Sequence, residues 1–228
     1  KRVGVAGLAL LDRGGRAVAA TAGMPPLEGR ILAFAKNAPP GERGMLDMAL
    51  DTGGRPQVAF LVPIFAVQGS TAPSDQIGSV LGVKEAGPDL FSLPIQPGTT
   101  ERSLEALLVR ERGAAIDYLS PLADGTPPMR RSLARNTPAL AEAFGMANPG
   151  GFAVLRDYRD TEVLATSRPI SGTSWTLIEK VDRADALAES DTRLNRLLIA
   201  LLLIAALVAT GLWAVWRHGA SRRAGAAM

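Results

Sequence analysis

The feature that most constrains this chain is an uncharged run near its C-terminus. Residues Leu197 to Trp216 read LLIALLLIAALVATGLWAVW, which is 20 residues without a charged side chain. As an α-helix this run spans about 30 Å at 1.5 Å per residue, roughly the hydrocarbon thickness of a bilayer. The alternative, a buried core helix, needs protein on every side. We therefore predict a transmembrane helix over residues 197–216, with the lipid bilayer as its partner.

The flanks of this run predict its orientation. Four basic or imidazole side chains and no acidic one follow it: Arg217, His218, Arg222 and Arg223. The preceding stretch 180–196 balances four basic against four acidic residues. Because positive charge favours the cytoplasmic side, we expect the C-terminus in the cytoplasm of a bacterium and residues 1–190 outside its inner membrane, in the periplasm. Export needs a signal, so we expect one before Lys1, and a cytoplasmic part after Met228.

The charge balance argues against nucleic acid as a partner. The chain has 25 Lys and Arg against 22 Asp and Glu, a net charge of +3. Three arginines after the apolar run, Arg217, Arg222 and Arg223, account for that excess and leave residues 1–216 formally neutral. A nucleic-acid-binding domain needs a basic surface of its own. We therefore predict no nucleic-acid partner.

Residue types that serve catalysis are scarce in this sequence. It has no cysteine and one histidine, His218, so a disulfide, a thiolate nucleophile and a His-rich metal centre are excluded. The sequence also lacks phosphate-binding glycine loops, serine nucleophile elbows and the HExxH motif. We predict that the chain is not an enzyme and has no catalytic residue, metal or cofactor.

The first hundred residues alternate between strand-like and helix-like patterns. Residues 3–21 form two strand-like runs around the Asp12-Arg13-Gly14-Gly15 turn, which predicts a hairpin. Runs 57–67 and 77–84 are also strand-like, whereas 27–37 and 44–50 are short helix candidates. The predicted order is strand, strand, helices, strand, strand.

A similar order recurs in the second hundred residues. Strand-like runs cover 107–120, 152–158, 162–170 and 175–182, with a helix candidate at 138–146. At an offset of 98 residues three positions correspond: Leu10 and Leu108, Gly15 and Gly113, Val18 and Ile116. The repeat predicts two modules of similar build, each an antiparallel sheet with helices. A ligand cavity and an ordinary filled core are both open for such a module.

The stretch from Tyr158-Arg159-Asp160 to EVLATSRPISGTSWTLIEKVDRADAL is similar to a known family. It resembles the membrane-proximal half of double Cache domains, which are tandem PAS-like extracellular sensors of bacterial signalling proteins. The resemblance rests on Tyr158-Arg159, Arg168-Pro169-Ile170, Gly172, Trp175 and an exit helix from Ala184. It departs from the family at Asp160, where Gly is usual. The first module has no Tyr or Trp, so the amino-acid-binding set of the family is not found.

The resemblance implies an α+β fold with two tandem PAS-like modules followed by a transmembrane helix. The implied domain boundaries are 1–98, 99–190, 191–216 and 217–228. The implied function is that of an extracytoplasmic small-molecule sensing region. It would belong to a bacterial receptor of the histidine kinase, diguanylate cyclase or chemoreceptor type. A membrane-anchored binding or scaffold module without signalling output is the alternative, and the sequence beyond Arg223 would distinguish the two.

Five polar or aromatic residues of the second module are the candidates for ligand binding. Arg156 and Tyr158 alternate with Phe152 and Val154 on one strand face, and Arg168 lies on the next strand. An Arg fork can clamp a carboxylate or phosphate with two hydrogen bonds. Tyr118 and Trp175 would supply a flat wall. The open alternative for each Arg is a solvent-facing residue or an intramolecular ion pair.

Two further patterns lead to structural predictions. Asp157 and Asp160 lie where a turn is expected, so we interpret them as turn residues rather than as a catalytic carboxylate pair. Ala184 to Trp216 is predicted to be one continuous helix. Leu187 and Leu194 are one heptad apart in it, which predicts a parallel homodimer.

Overall fold

The computed structural model describes the backbone of residues 5–91 and 103–225. The side chains at 88–89, 189–195, 212 and 214–225 fall outside the described set. The chain forms two compact units, Lys1–Val181 and Asp182–Met228. Each unit is described by itself below.

The first half of the larger unit forms a five-stranded antiparallel sheet, here the first sheet. Its strands lie in the order β2-β1-β5-β4-β3. They are β1 (Val5–Asp12), β2 (Ala17–Ala20), β3 (Gly44–Leu50), β4 (Pro56–Phe65) and β5 (Gln76–Glu85). Helix α1 (Gly29–Asn37) precedes β3, a 3₁₀ turn (Pro73–Asp75) precedes β5, and the short helix α2 (Pro88–Phe91) follows it.

The predicted hairpin between β1 and β2 is confirmed. Asp12 Oδ1 accepts hydrogen bonds from the N–H groups of Gly14 and Arg16, at 2.8 and 2.9 Å. Gly15 has a φ of 74°, a left-handed conformation that glycine adopts without steric cost. The predicted strands at 57–67 and 77–84 and the helix at 27–37 are also confirmed as β4, β5 and α1.

The predicted helix at 44–50 is wrong, because this segment is the edge strand β3. It pairs antiparallel with β4, from Gly44 opposite Leu61 to Leu50 opposite Pro56, with an irregularity between Leu46 and Ala49. Leu, Met and Ala favour a helix when a segment stands alone. Here the backbone hydrogen bonds to β4 and the full burial of Met48 outweigh that preference, since sheet packing decides short ambiguous runs.

The core of the first sheet lies between its inner face and α1. Ile31 and Ala35 of α1 pack against Leu11, Leu61 and Leu81 of the strands. From Ala6 to Leu11, strand β1 alternates between exposed and buried side chains. Four large apolar side chains of β1 and β4 are therefore exposed on the outer face: Leu8, Leu10, Phe60 and Val62.

The second half of the larger unit forms a six-stranded sheet, here the second sheet. Its order is β8-β7-β6-β11-β10-β9, which equals that of the first sheet except for the added edge strand β8. The strands are β6 (Glu105–Arg112), β7 (Ala115–Tyr118), β8 (Ser132–Ala134), β9 (Phe152–Arg156), β10 (Glu162–Pro169) and β11 (Trp175–Asp182). Helix α3 (Ala141–Ala147) packs on β10 and β9.

The second sheet matches the sequence prediction closely. Five strand-like runs, two of them within 107–120 around the Gly113 turn, and the helix candidate at 138–146 appear near their predicted positions, and only β8 was not predicted. Gly145 makes the close packing of α3 feasible, because a Cβ at that position would lie 2.7 Å from Ile178 Cδ1. The observed fold is α+β with antiparallel sheets.

The smaller unit is dominated by one helix, α4 (Arg183–Gly225). The predicted continuity of Ala184 to Trp216 is confirmed at the level of the backbone. Among the residues that the structure describes, no helical stretch has the length and hydropathy of a membrane span. The side chains at 212 and 214–216 of the predicted span, and that of Leu194 in the predicted dimer seam, lie outside the described residues.

Candidate functional site

A cavity of about 700 Å³ opens on the inner face of the first sheet. This first-sheet cavity is bounded by β3, β4 and the segment 23–31. Its apolar wall consists of Ile31, Leu46, Val58, Ala59 and Val83, and its polar groups include Glu28, Arg30, Asp51, Arg55 and Gln57. Ligand sites are commonly concave, mostly apolar and about 300–1,000 Å³ in volume.

Glycine allows the segment that bounds this cavity to lie against β1. A Cβ on Gly7 would lie 2.2 Å from Met24 Cα, a distance that no side chain tolerates. Met24 and Leu27 pack on the core beside Ile31. The backbone of 23–24 is therefore held against β1.

The charged rim of the first-sheet cavity is locally paired. Arg55 Nη2 lies 2.9 Å from Asp51 Oδ2, and its Nη1 lies 3.4 Å from Glu85 Oε2. Hydrogen bonds from the backbone N–H and side chain of Arg55 hold the pKa of Asp51 below its ordinary range. The carboxylate of Asp51 is therefore ionised at neutral pH.

Asp47 on β3 joins the two sheets. Its carboxylate accepts hydrogen bonds from Trp175 Nε1 at 2.5 Å and from Ser174 Oγ at 2.9 Å. It also lies 2.9 Å from Arg110 Nη1, and that same nitrogen donates to the carbonyl of Met48 at 2.9 Å. Burial alone would raise the pKa of Asp47, but these hydrogen bonds hold it below its ordinary value.

An apolar cluster surrounds this network. Met48 and Val58 of the first sheet pack with Leu108, Leu119 and Trp175 of the second. Trp175 is 6% exposed. The wall of the first-sheet cavity is thus tied to the second sheet by packing as well as by charge.

The second sheet contains a buried charged cluster, defined here as Glu105, Asp157, Lys180 and Glu142. Lys180 is 1% exposed. Its ammonium group donates a short hydrogen bond to Asp157 and lies 2.8 Å from Glu105 Oε2. Burial opposes ionisation of Asp157, yet hydrogen bonds from Lys180 and Arg159 hold its pKa below the ordinary value.

Glu142 is the one member of the cluster without hydrogen bonds to its carboxylate among the described residues. It is fully buried on α3, and neither carboxylate oxygen has a hydrogen-bond partner in the part of the chain that the structure describes. Burial raises its pKa from the ordinary 4.5 to about 7. The buried hydroxyl group of Tyr118 also has no hydrogen-bond partner within the described residues, although it lies close enough to the Glu142 carboxylate to interact with it electrostatically.

The structure brings two of the five predicted site residues together. The Tyr118 and Tyr158 rings meet edge to face, with centroids 5.6 Å apart. Tyr158 hydroxyl donates to Glu105 Oε1 at 2.9 Å, and Lys180 Nζ lies 4.3 Å from the Tyr158 ring centroid. Tyr118 is buried in the core of the second sheet, and the partly buried Tyr158 packs against that core.

The other three predicted residues lie elsewhere. Arg156 is exposed and forms an ion pair with Asp160 at 2.8 Å, and Arg168 is exposed on β10. Tyr158 follows β9 in a turn rather than alternating with Arg156 on it. Trp175 faces the first sheet, where it donates to Asp47. The five residues therefore do not line one pocket.

Asp157 acts as a turn residue, as expected from the sequence, and also as a buried ion. Its Oδ1 accepts hydrogen bonds from the N–H groups of Arg159 and Thr161, at 2.8 and 3.1 Å. The role of Lys180 was not predicted from the sequence. A signal existed, because Thr176, Ile178 and Lys180 are every second residue of β11 and therefore lie on the same, buried face of the strand.

The fold can be compared with those of solved structures. No family model matches the chain, and no curated protein matches its sequence. The extracellular domain of rpHK1S-Z16, described as a histidine kinase, has a TM-score of 0.51 and 11% identity, over 79% of this chain and 71% of that one. The extracellular domain of soHK1S-Z6, also described as a histidine kinase, has a TM-score of 0.49 and 16% identity, over 82% and 74%.

A third similar structure is an extracellular ligand binding receptor from Desulfohalobium retbaense. Its TM-score is 0.48 at 16% identity. The match covers 78% of this chain but only 30% of the receptor, so the chain spans less than a third of that protein's length. At these identities the likeness establishes the fold: the chain has the α+β architecture of an extracellular domain such as that of rpHK1S-Z16.

Proposed function

We propose that this chain is the extracytoplasmic sensing region of a bacterial transmembrane receptor, and that it binds a small molecule in the first-sheet cavity. The observation that carries the proposal is the cavity itself, about 700 Å³ beside Asp47. The fold shared with the extracellular domain of a histidine kinase supports the same function.

The lining of the cavity favours a small amphipathic ligand. Ile31, Val58 and Val83 offer an apolar wall, whereas Arg55 and Asp51 place opposite charges at the rim. Apolar contacts would supply affinity, and the charged rim would select orientation. A zwitterion or an uncharged polar molecule suits this rim, because Arg55 already has acidic partners.

Asp47 provides a route from the cavity to the second sheet. It lies on β3, which forms part of the cavity wall. Its carboxylate accepts a hydrogen bond from Trp175 and forms an ion pair with Arg110. Trp175 begins β11, which ends at Asp182, and α4 begins at the next residue. If β3 can adopt two positions, a ligand that binds one of them more tightly would shift the equilibrium toward that position.

Ligand binding can be tested by a thermal-shift screen of small metabolites on the purified 228-residue chain. The variant Gln57→Trp fills the cavity with an indole ring, and Gln68→Trp on an exposed turn is the matched control. We expect compounds that stabilise the native chain and the control but not Gln57→Trp. Compounds that stabilise all three chains equally would argue against this cavity as the site.

The proposal includes a transmembrane helix at residues 197–216, a cytoplasmic C-terminus and a homodimer through Leu187 and Leu194. The chain has no cysteine, so single cysteines report their compartment cleanly. In bacterial cells, a membrane-impermeant maleimide should label Gln68→Cys and not Ser221→Cys until the cells are opened. Equal labelling of both in intact cells would contradict the topology.

The receptor interpretation also proposes a signalling output beyond residue 228. A kinase, cyclase or chemotaxis signalling domain encoded there would complete the receptor. A membrane-anchored binding module would have a stop codon instead. Sequencing the reading frame past codon 228 separates these two functions.

A further inference from the structure

A second concave site lies between the two sheets, and it is rich in arginine. This inter-sheet cleft has a volume of about 690 Å³. Five arginines line it, from both sheets: Arg30, Arg110, Arg112, Arg130 and Arg131. Three carboxylates also line it: Asp47, Glu111 and Asp117.

All three carboxylates of the cleft already have cationic partners. Asp47 pairs with Arg110 at 2.9 Å. Asp117 pairs with Arg112 at 2.7 Å, and Glu111 pairs with Arg135 at 2.5 Å. The negative charge of the cleft is therefore neutralised before Arg30 and Arg130 are counted.

The side chains of Arg30 and Arg130 have no hydrogen-bond or ion-pair partner within the part of the chain that the structure describes. Arg131, by contrast, pairs with Asp124 at 2.7 Å. The cleft thus carries two uncompensated positive charges. A concave site with excess charge of one sign concentrates ions of the opposite sign.

The backbone around Arg130 is strained. Met129 has a φ of 58°, which is unusual for a bulky residue. The Tyr118 carbonyl accepts from Met129 N–H, and Tyr118 N–H donates to the Arg131 carbonyl. Arg130 lies between the residues that form these two backbone hydrogen bonds. Its guanidinium group lies close to Gly54, since a Cβ built on Gly54 would be 3.0 Å from Arg130 Nη2. Strain maintained beside a cleft is a feature of functional sites.

We propose that the inter-sheet cleft binds a small molecule carrying two anionic groups, one held by Arg30 and the other by Arg130. Each guanidinium can clamp one carboxylate or phosphoryl group through paired N–H donors. Arg30 lies on α1 of the first sheet and Arg130 on the β7–β8 connection of the second. The bound molecule would therefore bridge the two sheets.

The inter-sheet cleft adjoins the first-sheet cavity, but each has lining residues of its own. Arg130 lines the cleft and not the cavity, whereas Gln57 lines the cavity and not the cleft. Arg30 borders both. Variants of Arg130 and Gln57 therefore separate the two proposals.

The test is isothermal titration calorimetry of the whole 228-residue chain at constant ionic strength. The probes are glutarate, a dicarboxylate, and inorganic pyrophosphate, with acetate as the single-charge control. We expect saturable binding of at least one probe and much weaker binding of acetate. The tighter probe shows whether the natural ligand carries carboxylates or phosphoryl groups.

Arg130→Gln should weaken the binding of that probe by about tenfold or more, since each charge-assisted pair contributes at least that factor. Arg16→Gln, at an exposed position of the first hairpin, is the matched control and should bind normally. The proposal is overturned if neither probe binds, or if Arg130→Gln binds as tightly as Arg16→Gln. It is also overturned if Gln57→Trp abolishes probe binding while Arg130→Gln does not.

Discussion

The two sheets have the same strand order apart from β8, but their interiors differ in chemistry. Among the described side chains of residues 5–91, none with a charge is buried. The second sheet buries four: Asp117, Glu142, Asp157 and Lys180. The first sheet instead has a cavity of about 700 Å³ on its inner face.

This difference assigns different roles to two sheets of similar topology. An apolar interior with an open cavity can accept a ligand without breaking ion pairs. A buried ion pair with its hydrogen bonds satisfied favours one arrangement, because removing a partner leaves an isolated charge in a medium of low polarity. We infer that the interior of the first sheet can accept a ligand, whereas the charged interior of the second sheet holds one arrangement.

Among the variants that test this comparison, Lys180→Met should lower the free energy of unfolding most. It leaves Asp157 and Glu105 buried without their shared cation, which costs about 3–5 kcal/mol of unfolding free energy. Lys36→Met, on an exposed face of α1 in the first sheet, should change stability little. Chemical denaturation followed by tryptophan fluorescence measures both. Equal stability of the two variants would remove the distinction between the interiors.

Glu142→Gln should change the pH dependence of stability. Between pH 4.5 and about 7 the folded chain holds a proton on Glu142 that the unfolded chain releases, so the native protein loses stability as pH rises through this window. Glutamine has no such proton. The gain in Tm of Glu142→Gln over the native chain should therefore grow from pH 5 to pH 8 and reach several degrees.

The control for this measurement is Glu42→Gln, at an exposed position of the connection between α1 and β3. Its Tm difference from the native chain should be the same at pH 5 and pH 8. If Glu142→Gln shows the same flat profile, then the buried carboxylate near Lys180, Asp157 and Tyr118 does not titrate as its burial implies.

Arg156→Ala should change stability and ligand binding least. Its ion pair with Asp160 lies at the surface, where such pairs add little stability. We expect no measurable change in Tm and no change in the response to stabilising compounds. A loss of ligand binding would restore the sequence-based assignment of Arg156 to the site.

Most of the fold could be predicted from the sequence because its strands alternate and its turns contain glycine or aspartate. The error at 44–50 arose because Leu, Met and Ala carry a helical preference, and only pairing with β4 makes the segment a strand. Strand β8 has three residues, which is too short for a periodic signal.

The candidate site was less predictable than the fold. The Tyr118 and Tyr158 rings contact each other, but the partners of Tyr158, Glu105 and Lys180, come from two other strands. Asp47 is 128 positions from Trp175, to which it bonds. No local pattern reports such a contact, because it depends on how two sheets pack.

The central claim is that the first-sheet cavity holds the ligand. Hydrogen exchange of the whole chain, with and without the compound that stabilises it most in the thermal-shift screen, tests this claim directly. We predict slower exchange of the backbone amide hydrogens at residues 23–31 and 44–59, with little change at 115–118 and 157–180. Protection confined to 115–118 and 157–180 would place the ligand beside Tyr118 and Tyr158 and contradict the account.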